Sequence, residues 1–233
     1  MVGERRSWEG PERAGPVEFP PGRILGPEFF ARPSECVAAE LVGKILWRAK
    51  VGGGRLTEVE AYLPQGDPAC HAFHGRTKRN AAMFGPPGHI YVYLSYGLHV
   101  LLNLVCDKEG VGSAVLIRSF EPLGDVRVLL HNRGLARRLN AQRLKERTAS
   151  DAELSVGPGR VGQALGLHLG LNGLRLGVAS GLYVIDDGYQ AVVGRTNRVG
   201  ISRGDHLLLR YYMVGSEYVS RRPPTKERVG DEA

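Results

Sequence analysis

Residues 57–75, TEVEAYLPQGDPACHAFHG, bring Glu58, Glu60, Tyr62, Asp67, Cys70, His71 and His74 within nineteen positions. Such side chains support three readings: a metal centre, an acid/base centre, or a solvated strand end. Zinc accepts Cys and His, so Asp67, Cys70, His71 and His74 form the donor set of a metal-dependent hydrolase or nuclease. A structural zinc site needs four ligands in recognisable pairs, and no second cluster occurs. His71 and His74 share a side only on a helix, whereas their segment begins LPQGDP, a loop. The expectation is no metal.

The elements that must position these groups are legible in part. Glu58-Val-Glu-Ala-Tyr62 alternates as a strand. Ser34 is placed to cap a helix over ECVAAELVG. KILWRAK, a VGGG turn and RLTEVEAY then read as a hairpin. HIYVYLSYGLHVLLNLVC reads as a second hairpin, with Tyr91 and Tyr93 on one face and Tyr96 beside the turn glycine Gly97. SAVLIRSF, GLYVIDD and HLLLRYYMV read as further strands, and DVRVLLHNRGLARRLNAQRL and RVGQALGL as helices. The pattern predicts an α+β single domain. A curved mixed or antiparallel sheet would carry a protruding β-hairpin and flanking helices. Residues 1–22 read as a disordered arm, 23–222 as the folded domain and 223–233 as a flexible tail.

Composition narrows the function classes. The three cysteines are too few and scattered for a disulfide framework, and no apolar run is long enough to span a membrane. The N-terminal stretch lacks the apolar core of a signal peptide, so an intracellular protein (cytoplasm or nucleoid) with no membrane partner is expected. The formal charge is +7, and between Val126 and Ala149 seven basic residues, Arg137 and Arg138 among them, face one acid. Such a patch attracts polyanions; it also reads as a solvated helical face. GPGRVG, residues 157–162, matches a dinucleotide fingerprint, but no buried strand precedes it. Its glycines and Arg160 could instead present N–H groups and charge to a phosphate, or merely open a helix. Tyr96 at a hairpin tip is a candidate wedge between bases. Arginines for phosphates, a wedge, aromatics and an acid together meet the needs of a protein that turns a base out of duplex DNA.

EVEAYLPQGDPACHAFHG, RTKRNAAMFGPPGHIYVYLSYGLHVLLNLV, AVLIRSFEPLG and GPGRVGQALGL, in that order, resemble the alkyladenine (3-methyladenine, or methylpurine) DNA glycosylase family from about Ile24 to Arg222. The resemblance implies roles for particular positions. Glu60 would activate water, with Arg118 near it. Tyr62, His71 and Tyr93 would sandwich the flipped base. Asn103 would crowd out a guanine amino group, and Leu98, where some relatives carry methionine, would also border the pocket. Tyr96 would intercalate. Arg79, Gly159, Arg160, Arg137 and Arg138 are expected at the DNA backbone.

The activity so implied is hydrolysis of the N-glycosidic bond of an alkylated, or even deaminated, purine in double-stranded DNA. A monofunctional, cofactor-free monomer would leave an abasic site. Glu60 is expected to be ionised at neutral pH. Glu58, two residues before it, is expected to face the opposite way as a structural or surface acid. The rivals are the metal-dependent hydrolase and a non-catalytic damaged-DNA-binding protein.

Overall fold

The computed structural model describes residues 18–135 and 152–221; the basic positions Arg137 and Arg138 and the tail 223–233 lie outside them. The fold is α+β. Among the described residues, nine strands form one sheet: β1 (Arg23–Ile24), β2 (Ile45–Arg48), β3 (Gly52–Tyr62), β4 (Ile90–Ser95), β5 (His99–Val105), β6 (Ala114–Leu123), β7 (Leu182–Asp186), β8 (Val193–Thr196) and β9 (Arg210–Met213). Their order is β1-β7-β2-β3-β6-β5-β4, with β9 joining β3 and β8 joining β9. Every pairing is antiparallel. Among the described residues, no helix is long and apolar enough to cross a membrane.

Strand β3 organises the molecule. One edge pairs with β6 throughout; the other pairs with β2 through residues 52–55 and with β9 through Glu58–Glu60. The sheet therefore branches at the acids. Gly53 and Gly54, expected in a turn, lie in this strand, because a Cβ there would sit about 2 Å from the carbonyl oxygens of Leu46 and Glu121. The turn instead falls just before them, where Lys50 takes a positive φ of 64°. Register slips around Thr57 and Arg118: Leu56 pairs with Phe120, Glu58 with Ser119 and Val59 with Ile117. Such bulges redirect side chains and are frequent beside functional sites.

Helix α1 (Ser34–Leu41) buries Val37, Ala38 and Leu41 against the sheet. Ser34 is its first residue rather than its cap, since its hydroxyl donates to the Tyr62 carbonyl at 3.2 Å and ties the helix to the end of β3. Helix α2 (Arg127–Asn132) is much shorter than the basic helix expected, because a Schellman turn through Gly134 ends it, with Leu135 N–H donating to Leu130 O. HLLLRYYMV is strand only from Arg210. The main core joins Val59, Ala61, Ile117 and Phe120 of the sheet to α1 and to helix α3 (Pro158–Ala164). A smaller cluster of Cys70, Ala72, Met83, Tyr91, Val105 and Ala114 supports Tyr62 and Tyr93 from below. Phe19, within the expected arm, sets its ring edge-on to Tyr183 at 4.9 Å.

Candidate active site

A cleft of about 560 Å³ opens between the β4–β5 hairpin, the loop after β3 and the loop after β8. Tyr62, His71, Arg79, Tyr93, Tyr96, Asn103 and Arg118 all line it. Strand alternation carries Tyr91 and Tyr93 on one face, stacked at 5.7 Å. His71 meets the Tyr93 ring edge-on at 4.6 Å, and its Nδ1 is 2.8 Å from the Tyr91 hydroxyl. Burial, then the nearby Arg79, lowers the His71 pKa, so the imidazole is neutral at pH 7. Asn103 is buried and donates to the Tyr91 carbonyl at 3.1 Å.

Glu60 has no exposed surface of its own. It stands behind the wall formed by its partners Tyr62, Arg118 and Val199, all three of which line the cleft. Its Oε1 accepts from the Val199 N–H at 2.8 Å and lies 3.2 Å from Arg118 Nη1. Its Oε2 accepts from the Tyr62 hydroxyl at 3.1 Å. A carboxylate oxygen can accept two hydrogen bonds, so Oε2 retains one site. Burial pushes the Glu60 pKa above the ordinary value, opposed by Arg118 and the Val199 N–H.

Glu58 corrects the sequence reading. Residues two apart on a strand share a face, and Arg118 joins both acids, its Nε donating to Glu58 Oε1 at 2.7 Å. Glu58 is buried, not a surface acid, and also accepts from Arg210 Nε at 2.7 Å and the Ser220 N–H at 2.6 Å. Burial alone would raise its pKa, but Arg118, Arg210 and Ser220 together hold it below the ordinary value.

The metal alternative meets a different chemistry. Asp67 forms a buried bidentate pair with Arg198, both bonds 2.6 Å, and accepts the N–H groups of Leu63 and Ala69 at 3.1 Å. Arg198 also lies over the Tyr62 ring, 4.6 Å from its centroid. The Cys70 thiol is buried, its pKa pushed to about 11. Among the described residues, no three His, Cys, Asp or Glu side chains are grouped to hold a metal ion. Asp67 thus braces the loop that carries His71.

Tyr96 projects from the hairpin tip, 91% exposed. Its φ of 50° and that of 70° at Gly97 make the turn. An aromatic residue seldom takes this left-handed conformation, which here holds the ring clear of the protein. Leu98 does not line the cleft; it stands at the same tip, 76% exposed, because the turn carries it past the strand. Gly159 and Gly162 serve close packing. A Cβ at Gly159 would lie 2.9 Å from the His99 ring, and one at Gly162 2.0 Å from the Val100 carbonyl. The motif is nonetheless tied to the centre, since the Gly157 N–H donates to the carbonyl of the bulged Arg118 at 2.9 Å. Arg160 is exposed away from the cleft wall, its guanidinium reaching the Val156 carbonyl at 3.4 Å.

Sequence reasoning missed Val199, Arg198 and Arg203. Val199 acts through its backbone, which no residue type betrays; Arg203, exposed and lining the cleft as Arg79 does, was detectable as a basic residue in a glycine-rich loop.

The family model described as methylpurine-DNA glycosylase matches residues 28–217. Curated relatives bear the description "Putative 3-methyladenine DNA glycosylase", three among them as follows. That of Chlorobaculum tepidum is 40% identical over 214 residues, covering 88% of this chain and 95% of the relative. That of Burkholderia lata is 41% identical over 211 residues, covering 89% and 96%. That of Methanoculleus marisnigri is 42% identical over 201 residues, covering 83% and 97%.

Proposed function

Because the chain belongs to the methylpurine-DNA glycosylase family, we propose that it turns an alkylated purine out of duplex DNA into this cleft and hydrolyses its N-glycosidic bond with water. The observation that carries the reading is a buried carboxylate, Glu60, held by Arg118, Tyr62 and the Val199 N–H directly behind a tyrosine-lined cleft.

As the bond from C1′ to the purine nitrogen breaks, its electron pair leaves with the base and the sugar gains oxocarbenium character. The negative charge of Glu60 stabilises that cation. Water adds to C1′ and gives its proton to the Tyr62 hydroxyl, which lines the cleft and passes its own proton on to Glu60 Oε2. The products are the free base and an abasic sugar in an unbroken strand. A purine alkylated at N3 or N7 is cationic before cleavage and neutral after it, so it leaves without an acid. Its charge is also attracted to electron-rich rings by about 0.5–2 kcal/mol per contact, which Tyr62 and Tyr93 would supply. Tyr96 fills the gap left in the stack, with Leu98 beside it at the same tip. Arg79 and Arg203, on the cleft wall, meet the flanking phosphates.

The test is single-turnover base release from duplexes holding one modified purine each, scored as alkali-labile sites. Wild-type protein is expected to release 3-methyladenine or 7-methylguanine. Glu60→Gln is expected to lose about 10²–10⁴-fold in rate while still binding lesion DNA. Absence of release by wild type would return the protein to a damage-binding role. Unchanged release by the variant would remove Glu60 from the mechanism.

A further inference from the structure

Glu58 is a fully buried carboxylate that the proposed reaction does not consume. Its Oε1 accepts from Arg118 Nε and Arg210 Nε, each at 2.7 Å, and from the Ser220 hydroxyl at 2.8 Å. Its Oε2 accepts from the Ser220 N–H at 2.6 Å and from the Ser119 hydroxyl at 3.3 Å. Arg118 is thus pinned at Nε while Nη1 reaches Glu60 at 3.2 Å and Nη2 donates to the Ser220 hydroxyl, also at 3.2 Å. A guanidinium is a planar fork, so fixing Nε and Nη2 fixes where Nη1 points. The segment after β9 is itself held here: Arg210 Nη2 donates to the Ser220 carbonyl, and the Thr57 hydroxyl donates to the Tyr218 carbonyl at 2.7 Å.

Taking the glycosylase reading as premise, we propose that Glu58 is a positioning residue for Arg118, and that Ser220 latches the segment 216–221 onto this pair so that the reactive centre is complete only when that segment is docked. The bulge at Arg118 is what allows one guanidinium to reach two acids of the adjacent strand. A pair serving stability alone would need neither the third contact to Glu60 nor a neutral hydroxyl bridging acid and arginine. The charged and titratable groups facing Glu60 are Arg118 from β6, Glu58 and Tyr62 from its own strand, Tyr93 from β4, and Arg198 beside Val199. Ser220 adds no charge to this set. Removing its hydroxyl therefore alters Glu60 only through the two groups it contacts, Arg118 and the Glu58 carboxylate that holds Arg118.

The decisive experiment compares wild type with Ser220→Ala, Ser220→Thr, Glu58→Gln and Glu60→Gln. Each is assayed for single-turnover release of a methylated purine across pH, and for affinity toward a duplex with an abasic-site analogue. Ser220→Ala is expected to slow release about three- to tenfold. It should also move the acid limb of the rate to higher pH, because a loosened Arg118 favours the Glu60 carboxylate less. Ser220→Thr, which keeps the hydroxyl, is expected to restore both. Glu58→Gln is expected to lose at least about tenfold in rate with lesion affinity unchanged. If that variant does not fold, the two Ser220 variants decide. Wild-type rate and acid limb in Ser220→Ala overturn the latch. If Glu60→Gln is then inactive, the glycosylase reading stands without it. No release by wild type overturns both.

Discussion

Replacing Asp67 with asparagine separates the two roles that its position in a Cys/His-rich loop suggests. Asp67 and Arg198 have no exposed side-chain surface and share two bonds of 2.6 Å. Among the described residues Arg198 Nε has no partner of its own, so the buried cation depends on this carboxylate, the Ala61 carbonyl at 3.0 Å and the Tyr62 ring. Asparagine keeps the shape but leaves that cation unpaired, at a cost of about 3–5 kcal/mol. At about 2–4 °C per kcal/mol for a chain of this size, Tm should fall by roughly 6–20 °C. Part of the activity should go with it, because the amide group that replaces one carboxylate oxygen leaves either Leu63 or Ala69 without its acceptor, and Arg198 adjoins the Val199 that holds Glu60. The assay is thermal unfolding followed by circular dichroism, beside base release with and without EDTA at a temperature where both proteins are folded. A Tm within about 2 °C of wild type would refute the bracing role. Loss of wild-type activity in EDTA would reinstate the metal reading.

Tyr96→Ala removes an exposed ring, so stability should change by no more than about 0.5 kcal/mol, while affinity for lesion duplex falls about 5- to 150-fold, the value of one stacking contact; unchanged affinity in a binding titration would end the wedge assignment. The two neighbouring acids give opposite pH behaviour. Burial raises the Glu60 pKa above the ordinary glutamate value of 4.5, so activity, which under the proposed mechanism needs its ionised form, should fall as pH drops through a midpoint above that value. Glu58 is held below 4.5, so its stabilisation is present above that value and disappears only as pH falls through its lower folded pKa. Base release should therefore vanish before circular dichroism reports unfolding; coincident losses would contradict this. Gly162→Ala forces a Cβ to within 2.0 Å of the Val100 carbonyl, and should destabilise by at least about 1–3 kcal/mol, read as a lower denaturant midpoint.

Much of the site is legible because strand periodicity reports faces. The E-x-E-A-Y and Y-V-Y alternations carry Glu60 with Tyr62, and Tyr91 with Tyr93, to common sides, and the tyrosine–glycine pair marks the hairpin tip. The same rule, correctly applied, puts Glu58 beside Glu60; treating positions two apart as opposed misplaced it. GPGRVG looks like a phosphate-binding signature because close helix–strand packing and phosphate binding both require glycine at such spacings. Leu98 was drawn into the pocket by its place after the turn, whereas the backbone carries it to the exposed tip.

By itself the amino-acid order determined which chemistries were available: an acid on a strand, aromatics on the facing hairpin, and arginines near both. Tertiary structure alone decided their partners. Glu60 is held by a backbone N–H 139 positions later in the chain, and Glu58 by a serine 162 positions later. The physical reason is that local spacing sets the direction of a side chain along its own strand, whereas its neighbours depend on cross-strand register. Here that register turns on bulges at Thr57 and Arg118 and on the branch where β9 meets β3, which emerge only when the whole sheet has formed.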